Sequence, residues 1–168
     1  VAYGGNFYAI FDPQKNFPSL NKMTAADILR ISPKVRDAIN KLIKPIHPFN
    51  KTIKGVTHVM WTGKAKLKNS SSRNAVFYGK NAIDRSPCGT GTSARLAQLH
   101  ARGKLKLQEK FVHESILGTQ FVGRVESEIM FNNKKAIIPS VEGWSIITGE
   151  SKFIISKRDP FYKGFSII

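Results

Sequence analysis

Residues 84–94, Asp84-Arg85-Ser86-Pro87-Cys88-Gly89-Thr90-Gly91-Thr92-Ser93-Ala94, hold the only cysteine of the 168-residue chain. A carboxylate upstream of a thiol, with two glycines just beyond it, suits proton transfer and the holding of an anion. Pro87 resists helix, and the residue before a proline is pushed to extended backbone. Small residues follow Cys88, and Arg95 to Arg102 reads as helix until Gly103 stops it. Cys88 is therefore expected at, or just before, a helix N-terminus. Unpaired N–H groups and the positive end of the helix dipole meet there. Such a setting favours a thiolate and binds a carboxylate or a phosphate. Gly89 and Gly91 have no side chain to block a ligand.

Competing readings weigh against that one. A lone cysteine also suits a buried small hydrophobe. Gly89 to Ala94 fits Gly-x-Gly-x-x-Ala, but a dinucleotide fingerprint needs a hydrophobic strand running into its first glycine, and Asp-Arg-Ser-Pro-Cys precedes this one. A phosphate-binding P-loop fails because no Lys-Ser/Thr follows the second glycine. His113 and Glu114 are adjacent on an expected strand and point to opposite faces, so they make no metal site. His100 lies about three turns along the helix from Cys88, which suits a structural role.

The elements that must position Cys88 follow from the pattern. Val1 to Asp12 reads as a strand, with Gly4-Gly5 permitting a bulge or a close backbone approach. Thr24-Ala25-Ala26-Asp27 is a capping box that opens a helix. Ser32-Pro33 reads as a fresh start, serine at the cap and proline at the first helical position. Val35, Ala38, Ile39 and Leu42 keep helical spacing after it. Val56–Trp61 and Asn74–Gly79 read as strands, and the second leads towards Cys88. Helix 91–102 is apolar or small on several sides and needs burial nearly all round. Strands follow over Phe111–Leu117 and, by period-2 alternation, from Phe121 to Phe131, with a turn at Asn132-Asn133. Ala136–Val141, Trp144–Thr148 and Lys152–Ser156 complete the expected strands. The class is α+β, an antiparallel meander with two helical segments.

Composition sets the bounds. The chain suffices for one sizeable core, and 41% hydrophobic with 10% aromatic residues is globular. The net charge of +16 suggests nucleic acid or an acidic membrane, yet the lysines are scattered apart from Lys64, Lys66 and Lys68. No RNA-binding signature, zinc spacing or basic helical stripe is present, so the charge reads as a lysine-rich surface that attracts anionic substrates. No apolar run approaches the length of a membrane span, and no signal peptide is visible. One cysteine excludes an internal disulfide framework and suits a reducing, cytoplasmic setting. Val1 in place of an initial methionine points to a cleavage product or a part of a longer polypeptide.

The Cys88 stretch resembles the second catalytic-cysteine motif of the proline racemase superfamily. Arg73 to Gly79 before it and Ala97 to Leu105 after it extend the likeness, which is closest to the 4-hydroxyproline 2-epimerase branch. Tyr3-Gly4-Gly5-Asn6-Phe7-Tyr8-Ala9, Gly118 to Arg124 and Asp159 to Phe165 are family-like too. The resemblance implies a diaminopimelate-epimerase-like fold, a curved antiparallel sheet wrapped about a central helix. It also implies inversion at the α-carbon of 4-hydroxyproline without a cofactor or metal. One cysteine takes the α-proton as thiolate, and another, as thiol, protonates the opposite face. By the family pattern Cys88 is one of these thiols, the N–H groups of Gly89 and Thr90 hold the substrate carboxylate, Asp84 accepts from the ring ammonium, and Tyr78 walls the ring. The first cysteine belongs to a Cys-Gly-His motif in an N-terminal half that has no counterpart here. Residues 1–156 then form a C-terminal epimerase domain lacking its first strands, and 157–168 a tail packing towards that half. The implied partners are the amino-acid substrate, the missing half and a second copy of the enzyme, with no nucleic acid or membrane. Proline racemisation and a non-catalytic amino-acid-binding remnant are the alternatives. A dehydratase of the superfamily has threonine where this chain has Cys88.

Overall fold

Strands that carry apolar side chains on both faces need cover on both. Two central strands have this character: β3 (His58–Gly63) and β4 (Ser72–Tyr78). Val59, Trp61, Ala75 and Phe77 point to one side, where they pack with Phe17, Leu20 and Ile28. Met60 and Val76 point to the other, where they meet Tyr8 and Ala94. Two helices supply the cover, α1 (Ala25–Leu42) on the first face and α2 (Gly89–Ala101) on the second. The structure is a computed structural model that describes residues 1–17 and 19–166.

The remaining strands are β1 (Ala2–Tyr3), β2 (Phe7–Phe11), β5 (Ala82–Ile83), β6 (Phe111–Glu114), β7 (Gln120–Phe131) and β8 (Lys134–Glu142). They join one sheet in the order β1-β2-β3-β4-β6-β7-β8, with β5 paired to β4. Helix α2 touches β1 and β2 at one end of this order and β7 and β8 at the other. A sheet whose two ends meet one helix must curl around it, so the expected α+β architecture holds. The sheet is mixed: β2–β3 and β4–β6 are parallel and the other pairings antiparallel. The reason is connectivity. A helix lies between the members of each parallel pair, and a crossover helix delivers the next strand in the same direction.

Several local expectations change. Residues 1–12 form two antiparallel strands, because the chain reverses at Gly4-Gly5-Asn6. The close approach expected there is real. A Cβ on Gly4 would lie 2.2 Å from the Thr90 carbonyl oxygen and 2.4 Å from the Ala94 nitrogen. Ser32-Pro33 starts nothing. The capping box at Thr24 and Asp27 opens one continuous helix, and Pro33 lies inside it. Ser32 is buried, and its hydroxyl accepts the Trp61 indole N–H at 2.8 Å. That tertiary bond offsets part of the cost of an interior proline. Helix α2 begins at Gly89, two residues before the expected start. Asn132 and Asn133 turn β7 into β8 with φ of 47° and 59°, the left-handed pair of a tight hairpin.

The strands expected at Trp144–Thr148 and Lys152–Ser156 do not form. Residues 143–166 contain no strand or helix among the described residues. Their apolar side chains stand in water, Ile147 at 95% and Phe153 at 88% exposure. An alternating sequence becomes a strand only when a neighbouring edge pairs its backbone, and among the described residues no strand pairs with this segment. Ile167 and Ile168, part of the expected tail, lie outside the described residues.

The fit of Gly4 is testable. Gly4→Ala sets a methyl group against the backbone of α2, which cannot give way as a side chain does. It should lower stability by roughly 1–3 kcal/mol, read from a urea-unfolding midpoint. An unchanged midpoint means that the β1–β2 turn does not press on α2.

Candidate functional site

The site is built on the link from β4 to α2. The N–H of Asp84 donates to the Val76 carbonyl at 2.8 Å, tying the end of the β5 arm to the sheet. Ser86 then donates twice to Asp84 Oδ1, from its N–H at 2.8 Å and its hydroxyl at 2.9 Å. The Cys88 N–H donates to Ser86 Oγ at 3.0 Å. The thiol residue and the carboxylate are thus joined through one serine. Both side-chain bonds to Asp84 fall on Oδ1, and the carboxyl group is half-buried.

Cys88 is the N-cap of α2, with φ 66° and ψ 117°. A positive φ is uncommon for a residue with a Cβ. Bonds on every side hold it there. The Cys88 carbonyl accepts the Thr92 N–H at 2.7 Å and so opens the helix. The carbonyl of the buried Pro87 accepts Asn74 Nδ2 at 2.8 Å. Thr92 Oγ1 lies 3.5 Å from that carbonyl and 3.0 Å from His113 Nδ1. A proton on His113 Nδ1 completes a chain from imidazole to hydroxyl to carbonyl. His113 is wholly buried, and burial, with the nearby Arg95 cation, pulls its pKa down to about 3, so it is neutral.

Helix entry leaves the N–H groups of Gly89 and Thr90 without intrahelical acceptors. Both residues are exposed, and nothing lies within 4 Å of a Cβ placed on Gly89. A small anion can reach these donors. The half-buried Cys88 sulfur lies 3.3 Å from the Tyr8 hydroxyl and 3.8 Å from Thr90 Oγ1. Tyr8 and Thr90 oxygens are 2.6 Å apart. Burial first, then the hydrogen bond and charge of Cys88, push the Tyr8 phenol well above its ordinary pKa. His58 packs on Tyr8 with ring centroids 4.7 Å apart and lies near-parallel to Tyr78 at 6.3 Å. Its pKa is lowered by burial and by Arg36, against an opposing pull from Asp84.

The structure therefore joins Asp84, Cys88, Gly89 and Thr90 on one short link, and Tyr78 stands at the end of an aromatic row that starts beside the sulfur. Sequence reasoning passed over Ser86, Asn74, His58 and the individual role of Tyr8. Asp-x-Ser is a turn signal that could have found Ser86, whereas the others depend on strand register. His100 takes the structural role expected: its ring bonds the Leu105 carbonyl at 2.8 Å and Glu128 at 2.7 Å. No group of three His, Cys, Asp or Glu side chains able to hold a metal occurs among the described residues. A hollow of about 430 Å³ runs between Leu117–Gln120 and Glu142–Trp144, and it does not include Cys88. The half-buried thiol lies beside the exposed Gly89 and Thr90.

This geometry has relatives. The family model described as proline racemase matches residues 1–166. The chain belongs to the proline racemase family. It is 52% identical over all 168 residues to the 4-hydroxyproline 2-epimerase of Shewanella loihica, and 52% to that of Spirosoma linguale. It covers 50% of each, so the chain spans about half the length of the curated relatives it matches. Among solved structures, a probable proline racemase from Agrobacterium radiobacter K84 with bound carbonate aligns with TM-score 0.80 and 34% identity. A hydroxyproline epimerase from Agrobacterium vitis with bound trans-4-hydroxy-L-proline aligns with TM-score 0.76 and 31% identity. Each alignment covers 98% of this chain, and 48% and 47% of the respective relatives.

The neutral His113 has a pH signature. The unfolded chain protonates this imidazole near its ordinary 6.5, the folded one only near 3. Between those values the unfolded state binds the extra proton, so the contribution to stability falls as the pH falls, by about 1.4 kcal/mol per unit. His113→Asn keeps a donor near Thr92 but cannot titrate. Urea midpoints between pH 7.5 and 4.5 should fall less steeply for this variant than for the parent, and parallel curves would disprove the assignment.

Proposed function

We propose that this chain supplies one half of a cofactor-independent 4-hydroxyproline 2-epimerase, with Cys88 as one of its two acid/base thiols. The observation that carries the reading is Cys88 at the N-terminus of α2, beside free N–H donors and joined to Asp84 through Ser86. The substrate class follows the names of the relatives.

The chemistry sets its own demands. A proton α to a carboxylate is a very weak acid, and charge developing on the α-carbon spreads into the carboxylate. Preorganised N–H donors stabilise that charge best, and Gly89 and Thr90 offer them at the positive end of α2. Asp84 accepts from the ring ammonium and keeps it cationic next to the reacting carbon. The Cys88 thiolate removes the α-proton and becomes a thiol, leaving the C–H electron pair on the substrate. A second thiol, on the opposite face, gives its proton to that carbon and becomes a thiolate. Tyr78 and His58 border the ring side of the cleft, where a hydroxylated ring meets both apolar faces and polar edges. In the reverse direction the two thiols exchange roles.

The second thiol is proposed to come from the part of the enzyme that corresponds to the other half of the relatives. The exposed apolar segment 143–166 is proposed to pack against it. Burial of each large side chain there contributes roughly 1.5–3 kcal/mol.

Four expected outcomes test this reading. In the complete polypeptide, incubation with trans-4-hydroxy-L-proline in D₂O should yield the 2-epimer with deuterium at the α-carbon, followed by chiral chromatography and mass spectrometry. Cys88→Ser should reduce turnover at least ~10³-fold, because a hydroxyl is too weak an acid to serve as the base at neutral pH. Asp84→Asn should raise KM more than it lowers the unfolding midpoint. Turnover retained by Cys88→Ser would make the cysteine structural and favour an amino-acid-binding remnant. The 168-residue chain by itself should associate and be inactive, and the other half added in trans should restore a discrete complex and turnover. A monodisperse monomer that epimerises unaided would refute the division of the site.

A further inference from the structure

The proposed reaction uses Cys88 in both protonation states and gives no part to a wholly buried hydroxyl beside its sulfur. Tyr8 lies on β2, in register with His58 of β3, with 0% exposure. Its ring packs among Met60, Val76 and Ala94 under the sulfur. Its one hydroxyl proton has two acceptors in reach, Cys88 Sγ at 3.3 Å and Thr90 Oγ1 at 2.6 Å. Cys88 and Thr90 are themselves 3.8 Å apart, so Tyr8 is the tighter link between them.

We propose that Tyr8 is the donor that holds Cys88 as a thiolate, and that Thr90 receives the same proton when Cys88 is a thiol. This rests on the reading of Cys88 as an acid/base thiol. A thiolate only accepts. Tyr8 then turns its O–H to the sulfur, and the Thr90 hydroxyl donates to the Tyr8 oxygen. When the sulfur gains a proton, that proton must point into the cleft to be delivered. Tyr8 then rotates its O–H onto Thr90, and no buried polar atom is left unpaired in either state. The rotation moves one hydrogen and no heavy atom, so it costs no repacking. A phenol can serve as this donor only while it keeps its proton, and burial keeps it protonated. Few other groups act on the sulfur. From β3, His58 lies behind the Tyr8 ring; from the same link, Asp84 reaches Cys88 only through Ser86; from β4 comes the apolar Val76; and the first turn of α2 carries no acidic residue.

The test is the pH dependence of Cys88 alkylation by iodoacetamide, quantified on the Cys88 peptide by mass spectrometry in both the 168-residue chain and the complete polypeptide. Tyr8→Phe keeps the ring and removes the donor. Its midpoint should rise by about one pH unit, making alkylation about tenfold slower below both midpoints. Site-specific 3-fluorotyrosine at position 8 keeps the shape and makes the phenol a stronger donor, so its midpoint should fall. That pair of opposite shifts is not produced by a role in packing alone. An unchanged or lowered midpoint in folded Tyr8→Phe overturns the proposal, as does a raised midpoint with fluorotyrosine, which decides the matter if Tyr8→Phe fails to fold. Neither measurement uses a substrate. A protein that does not epimerise hydroxyproline leaves these shifts standing, and their absence leaves the epimerase reading standing.

Discussion

The whole arrangement depends on a cysteine held with positive φ at a helix start. An L-residue in a sparsely populated backbone region costs of order 1–3 kcal/mol and persists only where its surroundings over-determine it. Here they do. Asn74 holds the carbonyl before Cys88, Ser86 holds its N–H, and Thr92 holds its own carbonyl. Glycine would take this conformation without strain, as it does at six other positions of positive φ among the described residues. Only a side chain can bring a sulfur there. The strain is the cost of aiming a thiol across the end of a helix while leaving the next N–H groups free.

The clamps come from elements distant in sequence, which makes the sheet itself part of the site. Asn74 and Val76 lie on β4, His113 on β6 and Tyr8 on β2, and α2 brings Thr90 to Tyr8 and Thr92 to His113. The curl of the sheet around α2 sets these distances together. Gly4 lets the β1–β2 turn close on the helix start, and a Cβ on Gly123 would meet Leu96 at 2.9 Å on the side of β7. The small residues of α2 and the glycines of the sheet are therefore two sides of one fit. A change that loosened it would move the sulfur relative to its hydroxyl partners before it unfolded the chain.

Much of this was legible in the sequence where the cause is local. Pro87, the glycines after Cys88 and Gly103 bound α2 correctly to within two residues, because each acts on the backbone beside it. The capping box at Thr24 and the Asn132-Asn133 turn are equally local. Ser32-Pro33 misled because the same pair suits a first turn and an interior turn, and only Trp61, from another element, decides between them. The apolar runs after Gly143 misled for a related reason. Alternation states which faces a strand would have but not whether an edge is present to pair with it. Tyr8, His58 and His113 were illegible as site residues because their roles arise from register: a shift of one position along β2, β3 or β6 would turn each away.

The proposed inversion bears on why the start of α2 beside Cys88 is exposed. Protons must leave and arrive on opposite faces of one tetrahedral carbon. A helix N-terminus can hold the carboxylate of that carbon and present a thiol to one face. It cannot also reach the other, because its own N–H groups and the bound carboxylate stand between. The opposing thiol must approach from the far side of the substrate, and α2 with its curled sheet offers nothing there: Gly89 and Thr90 end at solvent. Under the proposed reaction, a half-site that holds one thiol rigidly and leaves its other side uncovered is what the stereochemistry requires of each half. Under that reaction, closure over the substrate would do two things at once: supply the second proton, and remove water from charge that only a few oriented N–H groups must stabilise.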